Sequence, residues 1–287
     1  MAIKPSNHTK PLEIPRFIIL TSKFIAFLST KWVTVFVFKL FTKPIRHKSP
    51  KREIEMDQKS IQTSIIIPAI NKEIVVYQYG VSEKKVLLVH GWSGRGTQLC
   101  KIADELLKSG YSTISFDAPA HGKSPGNSSI MVDFIDSILE LDKLYGPFEI
   151  AIGHSLGGMS VLNAIAKGFT VNRTVVIGSG DVVQDIIDDF IKKLELKPEI
   201  STQLRLYIEN KYGGTMNDYS AYRAAAKTDI PTLVIHDEND PEVSVKAGIH
   251  IHKHLKNGEL MITKHLGHRK ILADNHVIEK IINFIKK

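Results

Sequence analysis

Cysteine is almost missing from this 287-residue chain. Cys100 stands alone, so no internal disulfide framework exists and a reducing compartment is the default setting. Acidic residues are nearly absent from the first 52 positions, where eleven Lys/Arg meet only Glu13. The rest of the chain, with 27 Lys/Arg and 29 Asp/Glu, is close to neutral. The overall charge of +8 therefore belongs to an N-terminal arm and not to a basic face of a folded body, which argues against a nucleic-acid partner. Long uninterrupted apolar runs are also lacking. Residues 16–41 are rich in Ile, Phe and Val, but Lys23 and Lys31 cut them into charge-free runs of about seven, whereas a spanning helix needs about 20. No H-E-x-x-H or comparable ligand spacing calls for a metal. Gly94 and Gly96 have no Lys-Ser/Thr pair after them, so a nucleotide-phosphate loop is rejected and no cofactor is called for.

Forty-three per cent of the residues are apolar, enough for one large domain with an appendage. Residues 1–15 hold three prolines and many polar groups and are expected to have little fixed structure. Arg16, Lys23, Lys31 and Lys39 recur every seven or eight positions, which predicts one amphipathic helix over 16–41. Such a helix suits either an acidic membrane surface or the flank of its own domain. No small-residue cleavage site follows it, so a secretory signal is not expected. Residues 42–60 are polar with two prolines and read as a linker. The expected location is cytoplasmic, with the inner face of the membrane as the site of any peripheral attachment through 16–41.

From about residue 61 the pattern changes. Strands are predicted at 64–68, 73–79, 85–90, 112–117, 148–153, 174–179, 232–236 and 259–264, and most of these are the continuous Val/Ile/Leu runs that burial on both faces requires. Helical stretches are predicted at 97–108, 128–144, 156–167, 243–255 and 273–286. This alternation implies right-handed βαβ units, a mostly parallel sheet and an α/β fold. The gap between the sixth and seventh runs is too long for one crossover, so 181–227 is read as a small helical cap.

Gly153-His154-Ser155-Leu156-Gly157 fits G-x-S-x-G where a predicted strand meets a predicted helix. A serine there stands on a sharp turn with its hydroxyl above the sheet. A carboxylate is needed to orient a histidine, and Asp237, Glu238, Asp240 and Glu242 all compete for that role after the seventh strand. Among twelve histidines, His268 alone follows a glycine in the loop between the last strand and the last helix.

These segments, with FDAPAHGKS at 116–124 and VHGWSGRGTQ at 89–98, resemble the α/β-hydrolase superfamily over about 62–287, and in particular a bacterial subgroup of uncharacterised members. The resemblance implies Ser155, Asp240 and His268 as a catalytic triad in the order this fold uses. Asp240 is preferred because Asp240 and Val243 match the family's D-x-x-V. It also implies backbone N–H donors for an oxyanion at Trp92, after His90-Gly91, and at Leu156. Ala120 stands where the family usually has Gly. The expected activity is hydrolysis of a small-molecule carboxylic ester or related acyl bond through an acyl-enzyme. Thioesterase, lipase and acyltransferase chemistry are the alternatives, along with a non-catalytic binding protein on the same fold.

Overall fold

The Val/Ile/Leu runs become the strands of one sheet in a computed structural model of the chain, which describes residues 14–287. The expectation for 1–15 therefore falls almost wholly outside the described residues. The strands are β1 (Ile61–Ile67), β2 (Lys72–Tyr79), β3 (Lys85–Val89), β4 (Ser112–Asp117), β5 (Ile150–His154), β6 (Arg173–Ile177), β7 (Thr232–Asp237) and β8 (Gly258–Thr263). Their order is β1-β2-β4-β3-β5-β6-β7-β8. β2 pairs antiparallel with both β1 and β4, and every later pairing is parallel.

The helices of the N-terminal third are α1 (Arg16–Leu28), α2 (Thr30–Phe41), α3 (Ile54–Lys59) and α4 (Cys100–Lys108). Then come α5 (Met131–Tyr145), α6 (Leu156–Ala166), α7 (Val183–Lys193), α8 (Glu199–Tyr212) and α9 (Ala221–Ala225). The last are α10 (Val245–His254), α11 (Gly267–Lys270) and α12 (Asn275–Ile285). Alternate residues of a strand face opposite layers. Val86 and Leu88 of β3 meet Ile102 and Leu106 of α4 and Ile281 of α12 on one side. Leu87 and Val89 meet Phe134 and Ile138 of α5 and Val161 of α6 on the other. Two covered faces explain why the central strands read as continuous apolar runs, whereas the edge strands depart from that expectation, β1 being mostly exposed and β8 only half-buried. Helices α7, α8 and α9 fill the long gap between β6 and β7. Asp181 ties the start of this cap to its end, accepting the Tyr222 N–H at 2.8 Å and contacting His250 Nδ1 at 2.5 Å.

The arm differs from its reading in two ways. The single helix expected over 16–41 is a pair of helices broken at Ser29. That residue is extended (φ −164°, ψ 126°), and its hydroxyl accepts the Trp32 N–H at 3.3 Å, capping α2. Serine there offers the backbone a non-helical alternative that the apolar periodicity does not reveal. Only α2 is firmly seated, with Val33 and Val37 fully buried and Phe38 nearly so, in a cluster with Leu204 and Ile208 of α8. Three such side chains supply roughly 5–8 kcal/mol of gross burial. The second difference concerns 42–60, read as a linker. Residues 51–53 form a 3₁₀ turn leading into α3, and the preceding stretch is strapped to the body. Ile45 N–H donates to Ser93 Oγ at 2.9 Å, and the Arg46 guanidinium donates to the carbonyls of Ala120, Ser124 and Gly126 at 3.1, 2.5 and 3.1 Å. The buried Glu53 carboxylate accepts from Thr97 Oγ1 at 2.8 Å and Arg95 Nη1 at 3.3 Å. These partners lie 40 or more residues away in sequence, beyond the reach of local pattern.

Candidate active site

Ser155 stands between the end of β5 and the start of α6 with φ +54°, in a region that non-glycine residues seldom occupy. Strain of this kind persists only where neighbours over-determine it. A Cβ on Gly153 would come within 2.4 Å of the Gly157 carbonyl oxygen, and one on Gly157 within 2.3 Å of the Val89 carbonyl oxygen. The two glycines of the motif thus permit strand and helix to meet at a distance no side chain allows. The Ser155 N–H is held by the Ile177 carbonyl at 2.9 Å, so the neighbouring strand fixes the turn.

His268 and Asp240 come together although 28 positions separate them. His268 Nδ1 lies 2.7 Å from Asp240 Oδ2, and both side chains are almost completely buried. The other oxygen, Oδ1, accepts the N–H groups of Glu242 and Val243 at 2.8 and 2.9 Å. This gives the D-x-x-V spacing a physical meaning, because the valine position supplies a backbone donor to the carboxylate. Burial raises the Asp240 pKa, but the hydrogen bond and charge of His268 and the two N–H donors outweigh it, leaving the carboxyl below its ordinary value.

The rival Asp237 has a different occupation. Its oxygens accept from Asn239 N–H at 3.0 Å, Thr263 Oγ1 at 2.8 Å and Leu266 N–H at 3.0 Å. Burial pushes its pKa up, and these donors together with the Gly267 N–H pull it below normal. It therefore braces the loop that carries His268 without touching the imidazole. Glu238 pairs with Lys264 at 3.4 Å and Glu242 with Arg269 at 3.1 Å.

Trp92 lies in the loop after β3 and Leu156 opens α6. Among the described residues neither backbone N–H has a protein acceptor. Gly91 brings the first of them close, since a Cβ there would stand 2.9 Å from Ser155 Cβ. Gly91 N–H is itself held by Gln98 Oε1 at 2.9 Å. Ser155, His268 and Trp92 line one cavity of about 1420 Å³, larger than the roughly 300–1,000 Å³ usual for a small-molecule site. Ile14, Pro15, Ile18 and Leu40 of the arm and Phe190 and Leu194 of the cap complete its apolar wall.

Sequence reasoning treated the histidines around the site one at a time and missed that they form a neutral shell. His154 Nε2 donates to the His268 carbonyl at 2.9 Å, and the two rings lie 4.6 Å apart. Burial lowers its pKa to about 3. His236 Nε2 donates to the Val243 carbonyl at 2.9 Å and lies 3.6 Å from Asp240 Oδ2, with its pKa lowered by burial. His90 accepts the Ala118 N–H at Nε2, 3.0 Å away, and donates from Nδ1 to its neighbour's carbonyl at 2.7 Å. Burial keeps it neutral too. His90 therefore holds the loop by hydrogen bonds at both nitrogens. The one available signal was position, since His90 and His154 each end a buried strand.

The model of the Alpha/beta hydrolase family matches residues 86–201, and that of TAP-like protein matches 215–286. No curated protein matches the chain. Among solved structures, the chain is similar to a bromoperoxidase of Bacillus anthracis (18% identity, 79% of this chain and 100% of that one, TM-score 0.61). It is likewise similar to an esterase of Pyrococcus furiosus (18%, 85% and 98%, TM-score 0.65). A third likeness is to an esterase of Exiguobacterium antarcticum (16%, 79% and 100%, TM-score 0.62). At these identities the likeness is one of fold, and a bromoperoxidase beside two esterases underlines that a shared fold does not choose a reaction.

Proposed function

The chain belongs to the α/β-hydrolase family, and from that premise we propose that it is a serine hydrolase that cleaves a carboxylic ester, with Ser155 as nucleophile, His268 as base and acid, and Asp240 as the carboxylate that orients the imidazole. The observation that carries this reading is the 2.7 Å contact of Asp240 Oδ2 with His268 Nδ1, made in the wall of the cavity that Ser155 also lines. With Nδ1–H directed at Asp240, Nε2 is the nitrogen left to take a proton. Ser155 Oγ bonds to the ester carbonyl carbon while its proton passes to Nε2. The oxyanion is received by the N–H groups of Trp92 and Leu156. Collapse breaks the bond to the leaving oxygen, which departs as an alcohol carrying the proton from Nε2. Water then repeats the cycle on the acyl-Ser155, releases the carboxylic acid and restores the hydroxyl. Each oxyanion donor is worth about 10²–10³ in turnover in sites of this design. His154 anchors the His268 backbone and takes no proton in this scheme, because burial keeps it neutral.

The test is a fluorophosphonate probe followed by peptide mapping, together with a panel of esters of graded acyl length. A single adduct on Ser155 and turnover that depends on acyl length are expected. Absence of both labelling and turnover refutes the reading.

A further inference from the structure

Helix α1 is apolar on both faces. Ile18, Ile25 and Ala26 pack inward around the buried Ser22, while Phe17, Leu20, Phe24, Phe27 and Leu28 on the opposite face are 52–86% exposed. At 100° per residue these five fall within roughly a 100° arc, a continuous stripe about 20 Å long. Trp32, 64% exposed, extends it across the Ser29 break. The four aromatics alone leave about 600 Å² of apolar surface in water, at or above the largest patch of an ordinary monomer. Helical spacing puts Arg16 and Lys23 along one border of the stripe and Lys31 at its end. Lys23 also reaches Glu195 of the cap in a solvent-exposed pair, and the inward packing of Ile18, Ile25 and Ala26 sets how α1 lies on the body. Lys31, Lys39, Lys43 and Lys48 have no acidic partner among the described residues.

We propose that this face docks on the surface of an anionic lipid bilayer and that the hairpin of α1 and α2 delivers a lipid-borne acyl ester from that bilayer to the cavity at Ser155. The second half of the proposal rests on the hydrolase reading above. Charge selects the occupant. A second copy seated symmetrically on this face would bring two arms together, each with eleven Lys/Arg and one acid over residues 1–52, whereas an anionic surface is complementary to both the aromatics and the lysines. No helix among the described residues is long and apolar enough to cross a membrane, so the contact is with one face of the bilayer. Position selects the cargo. Ile14, Pro15 and Ile18 at the start of α1 and Leu40 at the end of α2 line the same cavity as Ser155, so the open end of the hairpin is part of the cavity wall. Lys43, Lys48 and Lys270, without acidic partners among the described residues, line it too, suited to an anionic headgroup left outside while the chain enters.

The experiment is co-sedimentation of the full chain with vesicles of phosphatidylcholine alone or mixed equally with phosphatidylglycerol. It is run alongside Ser155→Ala and the exposed triple variant Phe24→Ser/Phe27→Ser/Trp32→Ser. Partition onto the anionic vesicles is expected for the wild-type chain and equally for Ser155→Ala, weaker on phosphatidylcholine, and lowered at least about tenfold in the triple variant. Thermal melting in the triple variant stays unchanged, which excludes misfolding. Failure of the wild-type chain to bind anionic vesicles, or undiminished binding by the triple variant, overturns the docking. So does a lipid-free dimer that the triple variant abolishes, which would give the face to a second copy. A long-chain ester embedded in the vesicles should be hydrolysed by the wild-type chain and much more slowly by the triple variant, while a short water-soluble ester is hydrolysed equally by both. Equal rates on the embedded ester overturn delivery. Vesicle binding with no hydrolysis of any ester upholds the docking and overturns the reading of Ser155.

Discussion

The sheet-bearing body and the N-terminal hairpin obey opposite rules of burial. In the body every buried carboxylate around the site goes inside with partners. Asp117 is fully buried and accepts from the N–H groups of Gly96 and Lys123 at 2.6 Å each and from Tyr77 Oη at 2.8 Å. Asp237 and Asp240 are held in the same manner. In α1 large apolar groups lie on both sides, with Ile18, Ile25 and Ala26 packed inward around Ser22 and three phenylalanines left in water. Apolar content cannot explain the contrast, because α2 is equally apolar and buries Val33, Val37 and Phe38. The difference lies in whether a receiving surface exists. The groove formed with α8 takes one helix, and the second is left with a finished inner face and an unfinished outer one. A body whose apolar faces are covered is complete by itself, and a helix with its aromatics in water is complete only with something else.

The comparison is sharpest at Ser155. Ser155→Ala should lower ester turnover by on the order of 10⁴-fold or more while leaving melting unchanged, as measured by steady-state kinetics and calorimetry. The two carboxylates after β7 come next. Asp240→Asn should reduce kcat by about 10²–10⁴-fold, since an amide cannot select the imidazole tautomer. Asp237→Asn should act mainly on the melting temperature, because its partners are the backbone and Thr263. Comparable kcat losses for both would mean that the body has no such division of labour. Third, Phe38→Ala should cost about 3–5 kcal/mol in denaturant unfolding, and Phe27→Ala no more than about 0.5 kcal/mol. Equal costs would show that the two helices are not seated differently.

Acid provides a graded test of the body alone. Unfolded imidazoles protonate near pH 6.5. In the fold, burial holds His121 neutral down to about 4 and His154 down to about 3. Between those values the unfolded chain binds more protons, so stability should fall as pH drops from about 6.5 towards 4. Melting temperatures across that range should decline before the carboxylates titrate, and a flat profile would contradict the burial of neutral His121 and His154. The smallest effect belongs to Ala120, which holds φ +66° where glycine is free of penalty. Ala120→Gly should raise stability by under about 1 kcal/mol, the relief of backbone strain being partly offset by the greater freedom of glycine when unfolded.

Most of this architecture was legible because it is local. Buried strands announce themselves as unbroken apolar runs, and the motif at 153–157 marks its own strand-to-helix junction. The strand and helix limits differ from their expected positions by a few residues at most. What escaped was built by distance. Ser29 ends a helix that the lysine period would continue, through a cap whose strength no periodicity encodes. Arg46 reads as one more cation of a basic linker until the carbonyls of Ala120, Ser124 and Gly126 are brought around it. The outward face of α1 was hidden for a similar reason. A lysine every seventh or eighth residue marks a polar side, yet which apolar side meets the body depends on the distant cap and α2 residues that receive Ile18, Ile25 and Ala26.

Cys100 lies where the strap crosses the start of α4. Its thiol faces the Arg52 carbonyl at 3.4 Å, is shielded from solvent, and has a pKa raised by burial and by the nearby Glu53 carboxylate. A thiol so placed stays protonated and unreactive while the strap is down. The chain thus carries a built-in clock. Because no other cysteine competes for reagent, the rate at which an alkylating agent consumes the single thiol reports the population of states that open this corner of the body, without any label having to be introduced.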